Sequence, residues 1–370
     1  MPSSNNSVVL ACAGSGKTTY LVKEAIKRPH SRIAIITYTN NNRKGIIRKF
    51  GELNGGVPKH VDVGTWFSFL LRHGARPYQH DYCNERRIKS ILFVERRSAR
   101  GAAKTNTRRY YFASGDSIYS DKIAQFVIEC EAASDHRVTR RLRQIYDDVF
   151  IDEFQDLAGW DLDLIEMFLK SDISVTLVGD PRQHIYSTNP SSKNKHYLGI
   201  KVCGLIEKWK KNGLCQAPRL NGSYRCNQAI CTFANGLWAG SDNWVGDDKM
   251  EMTPLIDDPT EHDGTFLVSE RAVNDYIQRF RPQVLRHDKR ATSYGCGAIN
   301  FGLAKGLQFD RVLIVPTGPI RKYLKSGDVS TIDKARPRLH VAVTRARHSV
   351  GFVYDGPSPV VPTRWRAARE

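Results

Sequence analysis

Among 370 residues no apolar stretch approaches the roughly 20 needed for a helix to cross a bilayer, which sets aside an integral helical membrane protein. Met1 to Ser7 has neither the basic start nor the apolar core of a secretory signal, so a cytoplasmic setting is expected. There is no CxxC pair either. The eight cysteines (Cys12, Cys83, Cys130, Cys203, Cys215, Cys226, Cys231, Cys296) are scattered, and the nearest two are Cys226 and Cys231, which argues against a zinc ribbon. An iron–sulfur cluster on Cys203, Cys215, Cys226 and Cys231 is the one alternative; buried free thiols in a reducing compartment are the simpler reading. Acid is scarce as well. Only 38 Asp and Glu face 56 Lys and Arg, giving a formal charge of +18 and a pI near 9.6. Such an excess attracts polyanions and releases their counterions, so nucleic acid is the first expected partner.

What is present is a globular composition, 41% hydrophobic and 25% charged, on a chain long enough for two domains. Strand-like runs (SVVLACA, RIAIITYT, DDVFIDE, SVTLVGD, GTFLVSE, FDRVLIVP, HSVGFVYD) alternate with helical patterns, as in parallel sheets with crossover helices, so the class is α/β. Between Arg72 and Arg143 the pattern turns basic and irregular and reads as an insertion at about 74–145. "STNPSSKNKHYLG", residues 187–199, reads as a surface loop near a domain boundary. No internal repeat is visible.

Ala11 to Thr18 has the form AxxxxGKT, with a strand before it and a helix after it. Backbone N–H groups around Ala13, Gly14, Ser15 and Gly16 suit phosphate. Lys17 neutralises its outer oxygens, and the Thr18 hydroxyl, next to Thr19, suits Mg²⁺ at a helix N-terminus. A second block, "DDVFIDEFQDL", ends an apolar strand in Asp152 and Glu153. One can hold Mg²⁺ and the other can orient or deprotonate water. A third, "VTLVGDPRQHIYS", places Gln183 after another strand, suited to sensing a γ-phosphate. Together they predict a nucleoside triphosphate hydrolase.

The ordered blocks AGSGKTT, ITYTNNN, VGTWFS, VFIDEFQDL, VGDPRQHIY, SYRCN, AKGLQFDRV and VAVTRAR resemble those of the UvrD/Rep branch of superfamily 1 helicases over nearly the whole chain. The resemblance implies two tandem RecA-like domains, here 1–190 and 191–370, with ATP and Mg²⁺ in the cleft between them and single-stranded DNA tracked 3′ to 5′. It implies that Lys17 and Thr18 bind phosphate and metal, Asp152 the metal, that Glu153 is the base, and that Gln183 couples the γ-phosphate to DNA. Tyr224 then stacks on adenine, Gln308 takes the ribose position, and Arg225 and Arg345 serve as arginine fingers. Tyr38 and Tyr186 resemble base-stacking positions and Thr65 a phosphate contact. The basic runs Arg96, Arg97, Arg100, Lys104, Arg108, Arg109 and Arg137, Arg140, Arg141, Arg143 are candidate backbone cradles or solvated faces.

The departures matter too. The family's adenine-reading Gln has no counterpart in MPSSNNSVVL, which leaves ATP against GTP open. Thr188 and Asn189 stand where Trp and Arg are usual, Phe67 and Gly302 where His is usual, and Gln308 where Glu commonly meets the ribose. Tyr224 and Lys305 are too close to admit the large accessory domain of the family, so the second domain is expected nearly bare. Two functions follow: an ATP-dependent DNA helicase or translocase, or a DNA-sensing ATPase subunit coupled to a partner nuclease in a bacterial defence or repair complex.

Overall fold

Short apolar runs rich in β-branched residues, with no wet face, suit the interior of a parallel sheet. The computed structural model, which describes residues 5–83, 87–241 and 250–367, forms such strands. They begin with β1 (Ser7–Ala11), β2 (Ile33–Thr37) and β3 (Val61–Thr65), then the separate parallel pair β4 (Ser90–Leu92) and β5 (Ser117–Tyr119), then β6 (Asp148–Asp152), β7 (Ser174–Gly179) and β8 (Arg219–Leu220). β2 and β6 are buried at every position. The order in the large sheet is β3-β2-β6-β7-β1-β8, so every connection within it is a crossover.

The described chain divides into two compact units, one of 5–11 and 17–219 and the other of 12–16, 220–241 and 250–367. The second unit holds the small pair β9 (Gly222–Ser223) and β10 (Thr253–Pro254). Its main sheet contains β11 (Gly264–Val268), β12 (Gln283–Arg286), β13 (Ile299–Asn300), β14 (Phe309–Ile314) and β15 (Ala346–Val353) in the order β11-β15-β14-β12-β13, parallel throughout. Val268, Tyr276, Val284, Leu313 and Val353 form a buried cluster on it. The expected α/β class with two parallel sheets therefore holds.

The boundary expected at 190/191 falls inside the first unit, which continues through Arg219. Buried Asn6 explains part of this attachment: its Nδ2 donates to Leu169 O at 2.8 Å and Leu214 O at 3.0 Å, and its Oδ1 accepts from Val175 N at 2.9 Å. The Trp209 indole, buried in the helix Val202–Lys211, donates to Glu166 at 3.0 Å. The 187–199 loop is likewise anchored, through Asn194 to Asp163 at 2.6 Å and Lys193 over the Trp160 ring at 5.0 Å.

The expected insertion at 74–145, of which 84–86 lie outside the described residues, is only partly an addition. The helix Ile123–Ala133 buries Ile123, Ala124, Phe126, Val127 and Cys130 completely and belongs to the core of the first unit. The basic run that follows is largely neutralised, Arg137 reaching Asp81 at 2.5 Å and Arg143 reaching Asp147 at 2.7 Å. Among the described residues no helix is long and apolar enough to cross a membrane.

Candidate active site

In a parallel sheet all strand C-termini open on one edge, where α/β proteins gather their chemistry. On that edge of the first unit stand Lys17 to Thr19 after β1, Tyr38 after β2, Thr65 ending β3, Asp152 and Glu153 at the end of β6, and Gln183 after β7. Lys17 opens the helix Lys17–Ile26 and, like Thr18 and Thr19, is part-exposed.

Asp152 is 5% exposed, and its Oδ1 accepts the Glu153 N–H at 3.0 Å. Glu153 has φ 57°, a left-handed conformation uncommon for a residue with a side chain and costing about 1 kcal/mol or more. A hydrogen-bonded chain leaves it. Gln155 Nε2 donates to Glu153 Oε2, and Gln155 Oε1 accepts from Asp180 N at 3.1 Å. Asp180, fully buried, accepts from Gln183 Nε2 at 2.9 Å and from Arg182 Nε at 3.0 Å. Gly179 makes this approach possible, since a Cβ there would stand 2.1 Å from Gln155 Oε1. The sequence reading gives Gln155 no role, although it lies inside the DEFQD block.

Tyr38 sits between β2 and Thr39, whose hydroxyl caps the helix Asn40–Asn54 by accepting from Asn42 N at 3.1 Å. Its ring is half-buried, 5.9 Å from that of Phe67, and burial near Asp156 and Asp161 raises its phenol pKa. Thr65 donates to Ser68 at 2.9 Å. Tyr186 is 44% exposed. Thr188 is buried instead: its hydroxyl donates to Asp161 Oδ2 and accepts from Ala158 N at 3.1 Å. The Trp66 indole donates to the other Asp161 oxygen at 3.0 Å. Burial pushes the Asp161 carboxyl up to about 6 despite these donors.

The second unit contains the phosphate-loop segment Cys12–Gly16 and the SYR block. Gly14 and Gly16 take φ of 75° and 79°. Gly14 is also crowded: a Cβ there would meet Ser223 Oγ at 2.5 Å and Arg225 Cβ at 2.7 Å. Tyr224 N donates to Gly14 O at 2.8 Å and Ser223 Oγ to Ala13 O at 2.9 Å, while the Tyr224 side chain is 60% exposed. Ser15 Oγ is buried without a hydrogen-bond partner among the described residues, a feature that suits an incoming acceptor. Arg225 donates to Gln308 Oε1 at 3.2 Å and to Thr344 O at 3.0 Å. Arg345, 2% exposed, donates to Val341 O at 3.1 Å and Leu307 O at 3.4 Å. Gln308 also lines an open cavity of about 800 Å³ with Arg279, Arg281, Arg311 and Arg347. Among the described residues no group of three or more His, Cys, Asp or Glu is arranged for a metal, and all eight cysteines are free thiols.

Residues 119–198 match the family model of the UvrD/REP helicase N-terminal domain, in line with the resemblance that the motifs carry. That stretch contains Asp152, Glu153, Gln155, Asp180, Gln183 and Tyr186. The chain is also similar to the Gabija protein GajB of Bacillus cereus (strain VD045), 27% identical over 243 residues, or 62% of this chain and 46% of that protein. The match thus spans about half the length of that relative. Among solved structures, arterivirus nonstructural protein 10 (helicase) aligns with TM-score 0.46 at 16% identity over 95% of this chain and 60% of that one. The complex of the same viral protein with DNA aligns with TM-score 0.49 at 14% identity over 96% and 62%.

Proposed function

We propose that the protein is an ATP-driven motor on single-stranded DNA, a helicase or translocase moving 3′ to 5′ in the cytoplasm. The observation that carries this reading is the chain Glu153–Gln155–Asp180–Gln183, which joins the candidate water-activating carboxylate to the segment bearing Tyr186. Such a link lets a change at a γ-phosphate alter the nucleic-acid edge.

The loop 12–16 takes the phosphates, with Ser15 Oγ as an added contact, and Lys17 offsets their charge. Tyr224 presents an exposed ring to the base, and Gln308 serves the ribose. The Thr18 hydroxyl and the Asp152 carboxylate are the oxygen donors that would hold Mg²⁺. When bound, that ion neutralises charge on the phosphates. Glu153 orients and deprotonates the attacking water. Arg225 and Arg345 stabilise the charge that spreads over the transferring phosphoryl oxygens. Tyr38 and Tyr186 stack on bases and Thr65 contacts the backbone. The two motor domains are taken to part after Arg219.

A second reading, a DNA-sensing ATPase subunit acting through a partner nuclease, is favoured by the sparse chain from Tyr224 to Lys305. Its described part holds two helices and a few short strands, and no large accessory domain. Strand displacement on 3′-tailed and 5′-tailed duplexes by the isolated protein separates the two. Displacement of the 3′-tailed substrate alone supports the motor, whereas DNA-stimulated hydrolysis with no displacement supports the subunit.

A further inference from the structure

The base-stacking Trp that related motors carry is replaced here by Thr188, and the position is closed, since its hydroxyl is committed to Asp161 and Ala158. A different ring stands open on the same unit. Phe93, immediately after β4, is 67% exposed. Its ring meets that of Phe67 at 5.2 Å and 88°, and Phe67 in turn lies 5.9 Å from Tyr38, so three rings run in series from the strand edge into the basic segment. A perpendicular contact covers at most one face of Phe93 and leaves a face for another π-system.

A single exposed hydrophobic side chain is ordinary. Two further features set this one apart. The backbone on both sides is pinned, Ser120 N donating to Leu92 O at 2.9 Å and Val94 N to Ser120 Oγ at 3.1 Å, so the ring is held at little further entropic cost. Arg96, Arg97 and Arg100 follow on the surface, with Glu95 the only acid in that run. The segment is also tied to the loop after Tyr186, because Ser98 N donates to Asp121 Oδ2 at 3.0 Å and Asn189 Nδ2 donates to Asp121 O at 3.1 Å. An exposed ring on a pinned backbone, followed in the chain by exposed arginines, matches a single-stranded nucleic acid, which offers bases and phosphates together.

We infer that Phe93 is a third base-stacking residue, supplying from the basic segment the ring that position 188 lacks; this rests on the reading of Tyr38 and Tyr186 as a nucleic-acid edge. The test is fluorescence anisotropy with a labelled single-stranded oligonucleotide across a salt series, using Phe93→Ala, Phe93→Tyr and Tyr38→Ala. Phe93→Ala weakens binding by about 5- to 100-fold at every salt concentration and leaves the slope of affinity against salt unchanged, because stacking releases no counterions. Phe93→Tyr keeps wild-type affinity within about two-fold, and hydrolysis without nucleic acid is unchanged in both. Wild-type affinity in Phe93→Ala alongside loss in Tyr38→Ala overturns the role of Phe93 while the nucleic-acid edge stands. A shallower salt slope in Phe93→Ala also overturns it, by showing that cation placement was disturbed. No binding by the wild type overturns both readings.

Discussion

In the first unit the candidate carboxylates are held by polar side chains and a backbone N–H, Glu153 by Gln155 and Asp152 by the amide that follows it. In the second, the two candidate guanidiniums rest on neutral oxygens of both backbone and side chain, Arg225 on Thr344 O and Gln308 Oε1 and Arg345 on Val341 O, Leu307 O and Thr344 Oγ1. The difference is chemical. A carboxylate bonded to an amide side chain can be retuned by one substitution, and its neighbours report its state along the chain to Gln183. A guanidinium resting on a neutral carbonyl has its position set by the fold and gains by exchanging that acceptor for a phosphate oxygen, since charge-assisted bonds are roughly twice as strong as neutral ones.

The comparison breaks most directly at the phosphate side. Lys17→Ala should remove both nucleotide binding and steady-state hydrolysis, whereas Arg225→Ala should bind nucleotide and hydrolyse it about a thousand-fold more slowly. Arg225→Lys should recover little, because an ammonium lacks the planar fork. Equilibrium binding of a fluorescent ATP analogue beside phosphate-release rates checks all three, and equal loss of binding in Arg225→Ala would erase the distinction between the units. A smaller effect is expected where the chain is cut in its middle. Gln155→Leu should lower hydrolysis on single-stranded DNA several-fold more than hydrolysis without it, as the same rate assay reads. Uniform loss would make Gln155 a support for Glu153 alone.

The nucleic-acid edge should respond independently of the nucleotide. Tyr38→Ala or Tyr186→Ala should weaken single-strand binding by about 1 to 3 kcal/mol and leave basal hydrolysis near normal, with Phe substitutions largely silent. Anisotropy at fixed salt measures this. A last effect, on stability and not on binding, concerns Asp161. Its folded pKa, near 6, lies above the unfolded value of 3.8, so protonation favours the fold. The contribution is fully present below pH 4 and is lost as pH rises through 6, up to about 3 kcal/mol in all. Asp161→Asn should therefore show a smaller fall in urea midpoint between pH 5 and 7.5 than the wild type. Parallel profiles would remove Asp161 as the cause.

Much of this was legible in the sequence because it depends on local pattern. Apolar runs ending in Asp152 and Gly179 announced both the strands and the edge on which their chemistry sits. What local pattern could not show was attachment over long separations. The first unit runs to Arg219 because buried Asn6 ties β7 and the 214 region together, contacts invisible at the level of composition. The core role of Ile123 to Cys130 was hidden inside a segment whose arginines dominate its appearance. Thr188 looked like a missing ring, and only its bond to Asp161 shows the site turned inward. Gln155 carried no signal beyond its place in a recognised block, and Phe93 none at all, since a lone Phe in a basic stretch reads equally well as core.

The central claim, that a carboxylate coupled to a nucleic-acid edge drives ATP hydrolysis, is tested most directly by phosphate release from wild type and Glu153→Gln, with and without a single-stranded oligonucleotide. ATP binding is measured on the same samples. The account predicts that single strands stimulate the wild type, steeply less so as salt rises, and that Glu153→Gln binds ATP as the wild type does yet turns over at least about a hundred-fold more slowly in both conditions. Wild-type turnover in Glu153→Gln, or a wild-type rate indifferent to every nucleic acid offered, would contradict it.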